Sequence, residues 1–357
     1  MFFVTNINMY EMEKYCKNLY FSGFYSIINS LRRRIVYLRD ISMTRKIAFV
    51  FPGQGSQSVG MGKDLYENFD SAKNVFDTAD EVLGKSITTI CFEGPEDALK
   101  QTVNTQPSIV TMSIASLEAL KSELDITPFA TAGHSLGEYC AMYASGVMSL
   151  ETTLKAIQKR ADLMGATKGG AMAAILNAPE GSLEKALEEA SSVGYVDVAN
   201  YNSPAQVVIT GDETAVAKAG ELLSAAGARR VVPLAVSGAF HSKFMENAGN
   251  EFAGFVSDLA LSDAQIPVYT NVDAQATTSS EDFRAKMPKQ IYSSVYWTQT
   301  IENMVSEGVD TIIEIGPGKV LGGLIKKINP EVKTFNIFDK ESLENTVNTL
   351  KEELAIA

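Results

Sequence analysis

From position 43 onward the chain alternates short apolar runs with longer stretches in which apolar residues return every three or four positions. Short runs bounded by glycine read as buried strands, and the longer periodic stretches read as amphipathic helices. The first run is Lys46-Ile47-Ala48-Phe49-Val50-Phe51, which ends in Pro52-Gly53-Gln54-Gly55-Ser56-Gln57. Helical spacing follows over 65–83 and 105–124. A second apolar run closes on Gly133-His134-Ser135-Leu136-Gly137 and passes into a helix running through 144, with another over 150–163. Strands alternating with helices imply an α/β layered fold.

Between about 169 and 236 the texture changes. Strand 171–176, helix 183–190, strands 195–199 and 206–210, helix 214–225 and strand 230–236 follow the β-α-β-β-α-β order of a ferredoxin-like unit. Asn202-Ser203-Pro204 is expected to turn the chain between the two middle strands. Beyond it His241 opens a helix toward 259, followed by strand 266–270, helix 283–292 and strand 311–315, which ends in Gly316-Pro317-Gly318. Helix 320–328, strand 334–337 and helix 343–354 complete the chain. The expected organisation is a large catalytic α/β domain over 43–168 and 237–357, α/β-hydrolase-like, with a parallel sheet and a nucleophile elbow. A small ferredoxin-like subdomain at 169–236 is inserted into it. There is no repeat or low-complexity linker.

Residues 1–42 read differently. They hold nine aromatics, and six Lys/Arg against three Asp/Glu. No apolar stretch among them is long enough to span a membrane. Arg32-Arg33-Arg34 follows the apolar segment, where a signal peptide would place its charge first. This segment is expected to be an N-terminal extension outside the catalytic fold, and no stable membrane insertion is expected.

Charge and rare residues narrow the chemistry. A net charge of −12 argues against nucleic acid as a partner. Cys16, Cys91 and Cys140 have no metal or redox spacing and fit reduced thiols in the cytoplasm. Only two histidines occur, His134 and His241, so a His-rich metal site is excluded. Gly-x-Ser-x-Gly between a strand and a helix is the pattern of a nucleophile elbow, a turn so tight that the residues two positions either side of the serine must lack a Cβ. The following helix start offers backbone N–H groups to developing negative charge. A serine hydroxyl needs an adjacent base. His134 is the poorer candidate, because consecutive side chains here point to different faces, and it is expected to help hold the elbow. His241 can reach Ser135 only through the fold. No Asp or Glu announces itself as orienter of the base, so a backbone or amide oxygen is expected there.

Phe51-Pro52-Gly53-Gln54-Gly55-Ser56-Gln57, Gly133-His134-Ser135-Leu136-Gly137-Glu138-Tyr139, Arg160, Asn202-Ser203-Pro204, Phe240-His241 and Glu314-Ile315-Gly316-Pro317-Gly318 occur in the same order as in malonyl-CoA:acyl carrier protein transacylases. From about Met43 to the C-terminus the chain resembles that family. The resemblance implies Ser135 as nucleophile, His241 as general base, and Gln290 as the residue whose backbone carbonyl orients it. It implies backbone N–H groups of Gln54 and Leu136 as the oxyanion hole, and Arg160 as partner of the malonyl carboxylate. Asn202 and His134 fall in motifs near the substrate. Phe240 before the histidine resembles malonyl-selecting members, while Gly238 departs from the His of many polyketide-type domains. The implied substrates are malonyl-CoA and acyl carrier protein, which brings its own phosphopantetheine arm, so no cofactor is implied; a monomer is. Lys319, Lys326, Lys327, Arg229 and Arg230 are candidates for a local basic patch toward an acidic carrier. Two other classes share parts of the pattern: a serine hydrolase or thioesterase, and a non-catalytic carrier-binding module.

Overall fold

The computed structural model describes residues 45–354 apart from 237. The reading of residues 1–42 as an extension therefore falls outside the described residues.

Strand β1 (Lys46–Phe51) shows why a near-continuous apolar run becomes a central strand. Its side chains alternate faces. Ile47, Phe49 and Phe51 enter one buried cluster, while Ala48 and Val50 enter another on the opposite face. A parallel strand covered on both sides has this composition. Around it lie β2 (Ala130–Gly133), β7 (Val268–Tyr269), β8 (Ala276–Thr277), β9 (Val309–Ile315) and β10 (Lys333–Ile337). The sheet order is β10-β9-β1-β2-β7-β8, parallel throughout except for the antiparallel pair β7–β8.

Among the described residues seven helices precede the small sheet in sequence: α1 (Lys63–Asn68), α2 (Asp70–Leu83), α3 (Ile87–Glu93), α4 (Glu96–Leu99), α5 (Thr102–Glu123), α6 (Gly137–Ala144) and α7 (Leu150–Ala166). The helical spacing over 65–83 resolves into two helices, with Phe69 in extended conformation between them. Helix α5 is buried on all sides through most of its length, as expected of a helix that lacks a polar face. Its Pro107 removes one helical N–H. The carbonyl of Val103 four residues back instead accepts from Lys85 Nζ at 3.0 Å and Gln158 Nε2 at 3.3 Å.

The second sheet contains β3 (Ala171–Leu176), β4 (Val196–Ser203), β5 (Gln206–Gly211) and β6 (Arg230–Pro233), with α8 (Ser182–Ala190) and α9 (Glu213–Ala226) between them. Its order is β4-β5-β3-β6, all antiparallel, around its own apolar cluster. Strand β4 is longer than the pattern predicts. Asn202 and Ser203 belong to the strand rather than to the turn, because register shifts let β4 stay paired with β5 through Ser203↔Gln206.

The chain then returns through α10 (Glu246–Ser257), α11 (Ser280–Tyr292), α12 (Trp297–Ser306), α13 (Val320–Ile328) and α14 (Lys340–Leu354). His241 does not open a helix. It has φ 55°, and a 3₁₀ turn at Lys243–Met245 precedes α10. In the Glu314-Ile315-Gly316-Pro317-Gly318 stretch, the buried Glu314 carboxylate accepts from the amides of Leu321 at 3.0 Å and Gly322 at 2.8 Å. It thereby closes the open N-terminus of α13. No helix among the described residues is long and apolar enough to cross a membrane.

Candidate active site

Ser135 sits between β2 and α6 with φ 52°, a left-handed conformation rare for a residue with a Cβ. The two glycines of the elbow make this possible. A Cβ on Gly133 would lie 1.9 Å from the carbonyl carbon of Gly137, and one on Gly137 would lie 2.2 Å from Phe51 O. Backbone cannot give way as a flexible side chain can. Gly137→Ala should therefore cost about 1–3 kcal/mol or more, read as a fall of several degrees in the thermal unfolding midpoint. An unchanged midpoint would contradict this close approach of α6 to β1.

The turn uses up most of the helix-start amides. Those of Gly137, Glu138 and Tyr139 donate to the carbonyls of His134, Ser135 and Leu136 at 3.0, 3.1 and 3.1 Å. The amide of Leu136 donates to no acceptor among the described residues, and neither does that of Gln54 in the loop after β1. That loop is held against the elbow, since a Cβ on Gly53 would lie 2.7 Å from His134 O.

The fold brings His241 to the serine across 106 positions. Its Nε2 lies 2.8 Å from Ser135 Oγ. Its Nδ1 lies 3.0 Å from the carbonyl of Gln290 and 3.0 Å from that of Ser293. Both carbonyls can only accept, so Nδ1 carries the proton and Nε2 presents its lone pair to the hydroxyl. Burial pushes the imidazole down to about 3, helped by the Arg160 charge and by His134, so the ring is neutral at ordinary pH. Two backbone carbonyls occupy the place an acid takes in a Ser-His-Asp arrangement.

Arg160 on α7 is the most unusual group present. It is fully buried. Its Nη1 donates to Gln106 Oε1 at 2.7 Å, its Nε and Nη2 to Gln290 Oε1 at 3.2 and 3.0 Å, and its Nη2 also to Ser135 Oγ at 3.0 Å. All these acceptors are neutral. Among the described residues no carboxylate lies within ion-pair distance of the guanidinium. Such a charge is costly to hold without a partner.

His134 makes no hydrogen bond to the serine oxygen. Its Nε2 donates to Asn202 Oδ1 at 2.8 Å, its ring meets Trp297 edge-on at 5.6 Å, and burial lowers its pKa. Phe240 is buried in the large apolar cluster, and its carbonyl accepts from Thr210 Oγ1 at 3.0 Å. Three participants escaped the sequence reading. The Gln106 side chain holds Arg160, the Gln290 side chain donates to Ser135 O at 2.7 Å, and Asn271 Oδ1 accepts from the Ser135 amide at 2.7 Å. Glu138, one turn after the serine, is also buried, and burial raises its carboxyl to about 7 against the opposing pull of the Asn271 amide and Arg160. Among the described residues no cluster of His, Cys, Asp and Glu could hold a metal ion.

A hydroxyl bonded to a neutral imidazole and a buried cation suits covalent transfer of an acyl group, and known proteins place the chain in that class. Residues 48–339 match the family described as acyl transferase domain. The chain belongs to this family and, within it, to the malonyl CoA-acyl carrier protein transacylases. A transacylase of that name from Bacillus subtilis (strain 168) is 45% identical over 312 residues, covering 86% of this chain and 98% of the relative. One from Staphylococcus aureus (strain MSSA476) is 41% identical over 303 residues, 84% of this chain and 97% of the relative. Among solved structures, an acyl carrier protein S-malonyltransferase from Vibrio cholerae O1 biovar eltor str. N16961 superposes with TM-score 0.82 at 39% identity, over 84% of this chain and 99% of the other. A malonyl-transacylase solved in complex with its type II PKS acyl-carrier protein gives TM-score 0.82 at 36% identity, over 85% and 99%.

Proposed function

We propose that this chain moves the malonyl group from malonyl-CoA to the phosphopantetheine thiol of acyl carrier protein through a malonyl-Ser135 ester, supplying fatty acid synthesis. The observation that carries this reading is the buried Arg160 beside the serine oxygen without a carboxylate partner. A malonyl thioester supplies the missing anion at the far end of the acyl group, where the planar guanidinium can grip it with two parallel bonds.

In the first half-reaction Ser135 Oγ attacks the thioester carbonyl while its proton passes to His241 Nε2. The Gln54 and Leu136 amides receive the oxyanion; one such donor is worth roughly 10²–10³ in rate. The C–S bond breaks, and His241 returns the proton to the departing thiol. In the second half-reaction His241 takes the proton of the carrier's thiol, the thiolate attacks the malonyl-serine carbonyl, and Ser135 recovers its proton. Gln290 and Ser293 carbonyls keep His241 in the tautomer both halves need. Asn202 holds His134 and hence the elbow, and Phe240 is read as part of malonyl selectivity. The enzyme itself uses no cofactor.

We read the chain as a hydrolase-like large domain, 43–168 and 237–357, with a ferredoxin-like insertion at 169–236. We read the protein as a cytoplasmic monomer that meets acyl carrier protein through exposed basic residues such as Lys319, Lys326 and Lys327.

Arg160→Ala is expected to lower kcat/KM for malonyl-CoA by roughly 10²-fold or more, the scale of losing one partner of a buried charge pair. The value for acetyl-CoA should fall far less. Comparing both substrates in one preparation cancels any change in folded fraction. An unchanged malonyl-to-acetyl ratio would remove Arg160 from the acyl pocket.

A further inference from the structure

Asn271, two residues beyond the end of β7, is fully buried, and each of its polar groups has a partner. Its backbone N–H donates to Glu138 Oε2 at 2.6 Å, and its backbone carbonyl accepts from the Tyr296 amide at 3.0 Å. Its side-chain Nδ2 donates to Gly133 O at 2.7 Å, and Oδ1 accepts from the Ser135 amide at 2.7 Å. One residue thus holds the strand end before the serine, the serine itself, the first turn of α6, and the segment that follows α11.

That last segment matters because it carries Ser293, whose carbonyl receives His241 Nδ1. It also pairs with the small sheet: the Val295 amide donates to Ala199 O at 2.8 Å, and the Tyr201 amide to Val295 O at 2.9 Å. Nucleophile and base come from positions far apart in sequence, on elements that no local pattern aligns. We infer that Asn271 is a positioning residue that sets the nucleophile elbow in register with the segment orienting His241, with Glu138 as the acceptor that fixes Asn271 in turn. The inference deepens the acyl-transfer reading above and rests on it.

The residue type fits the task. A primary amide offers a donor and an acceptor on one rigid plane, so it can grip the backbone on both sides of His134 at once. Aspartate offers acceptors only, and alanine offers neither. Ser135 holds a sparsely populated φ, and such a conformation persists only where its surroundings over-determine it. A displacement of about 1 Å at a reacting atom can cost on the order of 10² in rate.

The test follows acylation of Ser135 in the full chain by rapid quench and intact mass, with malonyl-CoA and separately with a fluorophosphonate. Asn271→Ala and Asn271→Asp should lower the first-order rate constant at saturating malonyl-CoA by roughly 10- to 100-fold. The half-saturating concentration should stay within about threefold, and the fraction finally labelled should stay near that of the wild type. The fluorophosphonate should show the same loss of rate. If the Asn271 variants do not fold, Glu138→Leu, which removes the acceptor, should slow both reactions, and Glu138→Gln, which retains one, should restore most of the rate. A wild-type rate constant in folded Asn271→Ala or in Glu138→Leu overturns the positioning role. So does a smaller labelled fraction at an unchanged rate constant, which is the mark of mere destabilisation. Wild-type protein that takes the fluorophosphonate but no malonyl group would overturn the malonyl reading instead, and the fluorophosphonate rates would still decide the role of Asn271.

Discussion

Ser135→Ala is expected to abolish covalent malonyl uptake and to lower transfer by about 10⁴-fold or more, the scale seen when a nucleophile is deleted from a serine enzyme. Removing one small hydroxyl should disturb little else. The Ser135 amide and carbonyl, which bond Asn271 and Gln290, belong to the backbone and survive the substitution. The strained φ at this position also persists, so stability should stay close to that of the parent chain. Arg160 loses one of its four hydrogen-bond contacts and keeps those to Gln106 and Gln290. Intact-mass measurement of the variant after exposure to malonyl-CoA checks this directly; retained labelling would mean that another residue takes the acyl group.

The second large effect is expected at His241. His241→Ala should slow acylation by roughly 10²–10⁴-fold, the usual worth of a positioned general base. The pH dependence follows from the burial of this ring. An imidazole pushed down to about 3 is neutral, and therefore able to accept a proton, at every pH above that value. The acid limb of kcat/KM in the parent enzyme should then fall well below the ordinary histidine value of about 6.5. The same depression means that the unfolded chain binds a proton here between about 6.5 and 3 while the folded chain does not. This residue's contribution to stability is therefore present above that window and lost as pH falls through it. Glu138, raised to about 7, is the other buried group near the serine able to shape the profile. A limb near neutrality that persists in Glu138→Gln would contradict a neutral His241.

What could be read from the sequence was what leaves a local pattern. Strand β3 and the helix after Ser135 announced themselves by period and by flanking glycine, and the elbow glycines fall at the two positions where a Cβ would strike backbone. Helix α12 had a signal that went unused, since Trp297, Ile301 and Met304 share one helical face and are all buried. Asn202 was misplaced because Asn-Ser-Pro has good turn chemistry, and tertiary pairing with β5 overrode it. His241 lies outside any helix because its left-handed backbone is set by the site and not by its neighbours.

The supporting residues are a different case. Gln106 lies on a helix buried through most of its length, Glu138 within the turn after the serine, and Asn271 two residues beyond a two-residue strand. Each is a single polar side chain whose partner lies on another element, at separations of 54 to 138 positions. No periodicity marks such residues, because what selects them is an unsatisfied group elsewhere in the fold. Arg160 is the instructive intermediate. Spacing alone makes it an ordinary charge on an amphipathic helix, and only its complete burial among neutral acceptors sets it apart.

The most direct measurement is intact-mass analysis of the full chain mixed first with malonyl-CoA and then with holo acyl carrier protein. The expected result is a malonyl adduct on Ser135 that persists until the carrier is added and then appears on the carrier's phosphopantetheine. An adduct that drains into water before the carrier arrives, or no adduct at all, would contradict the transfer.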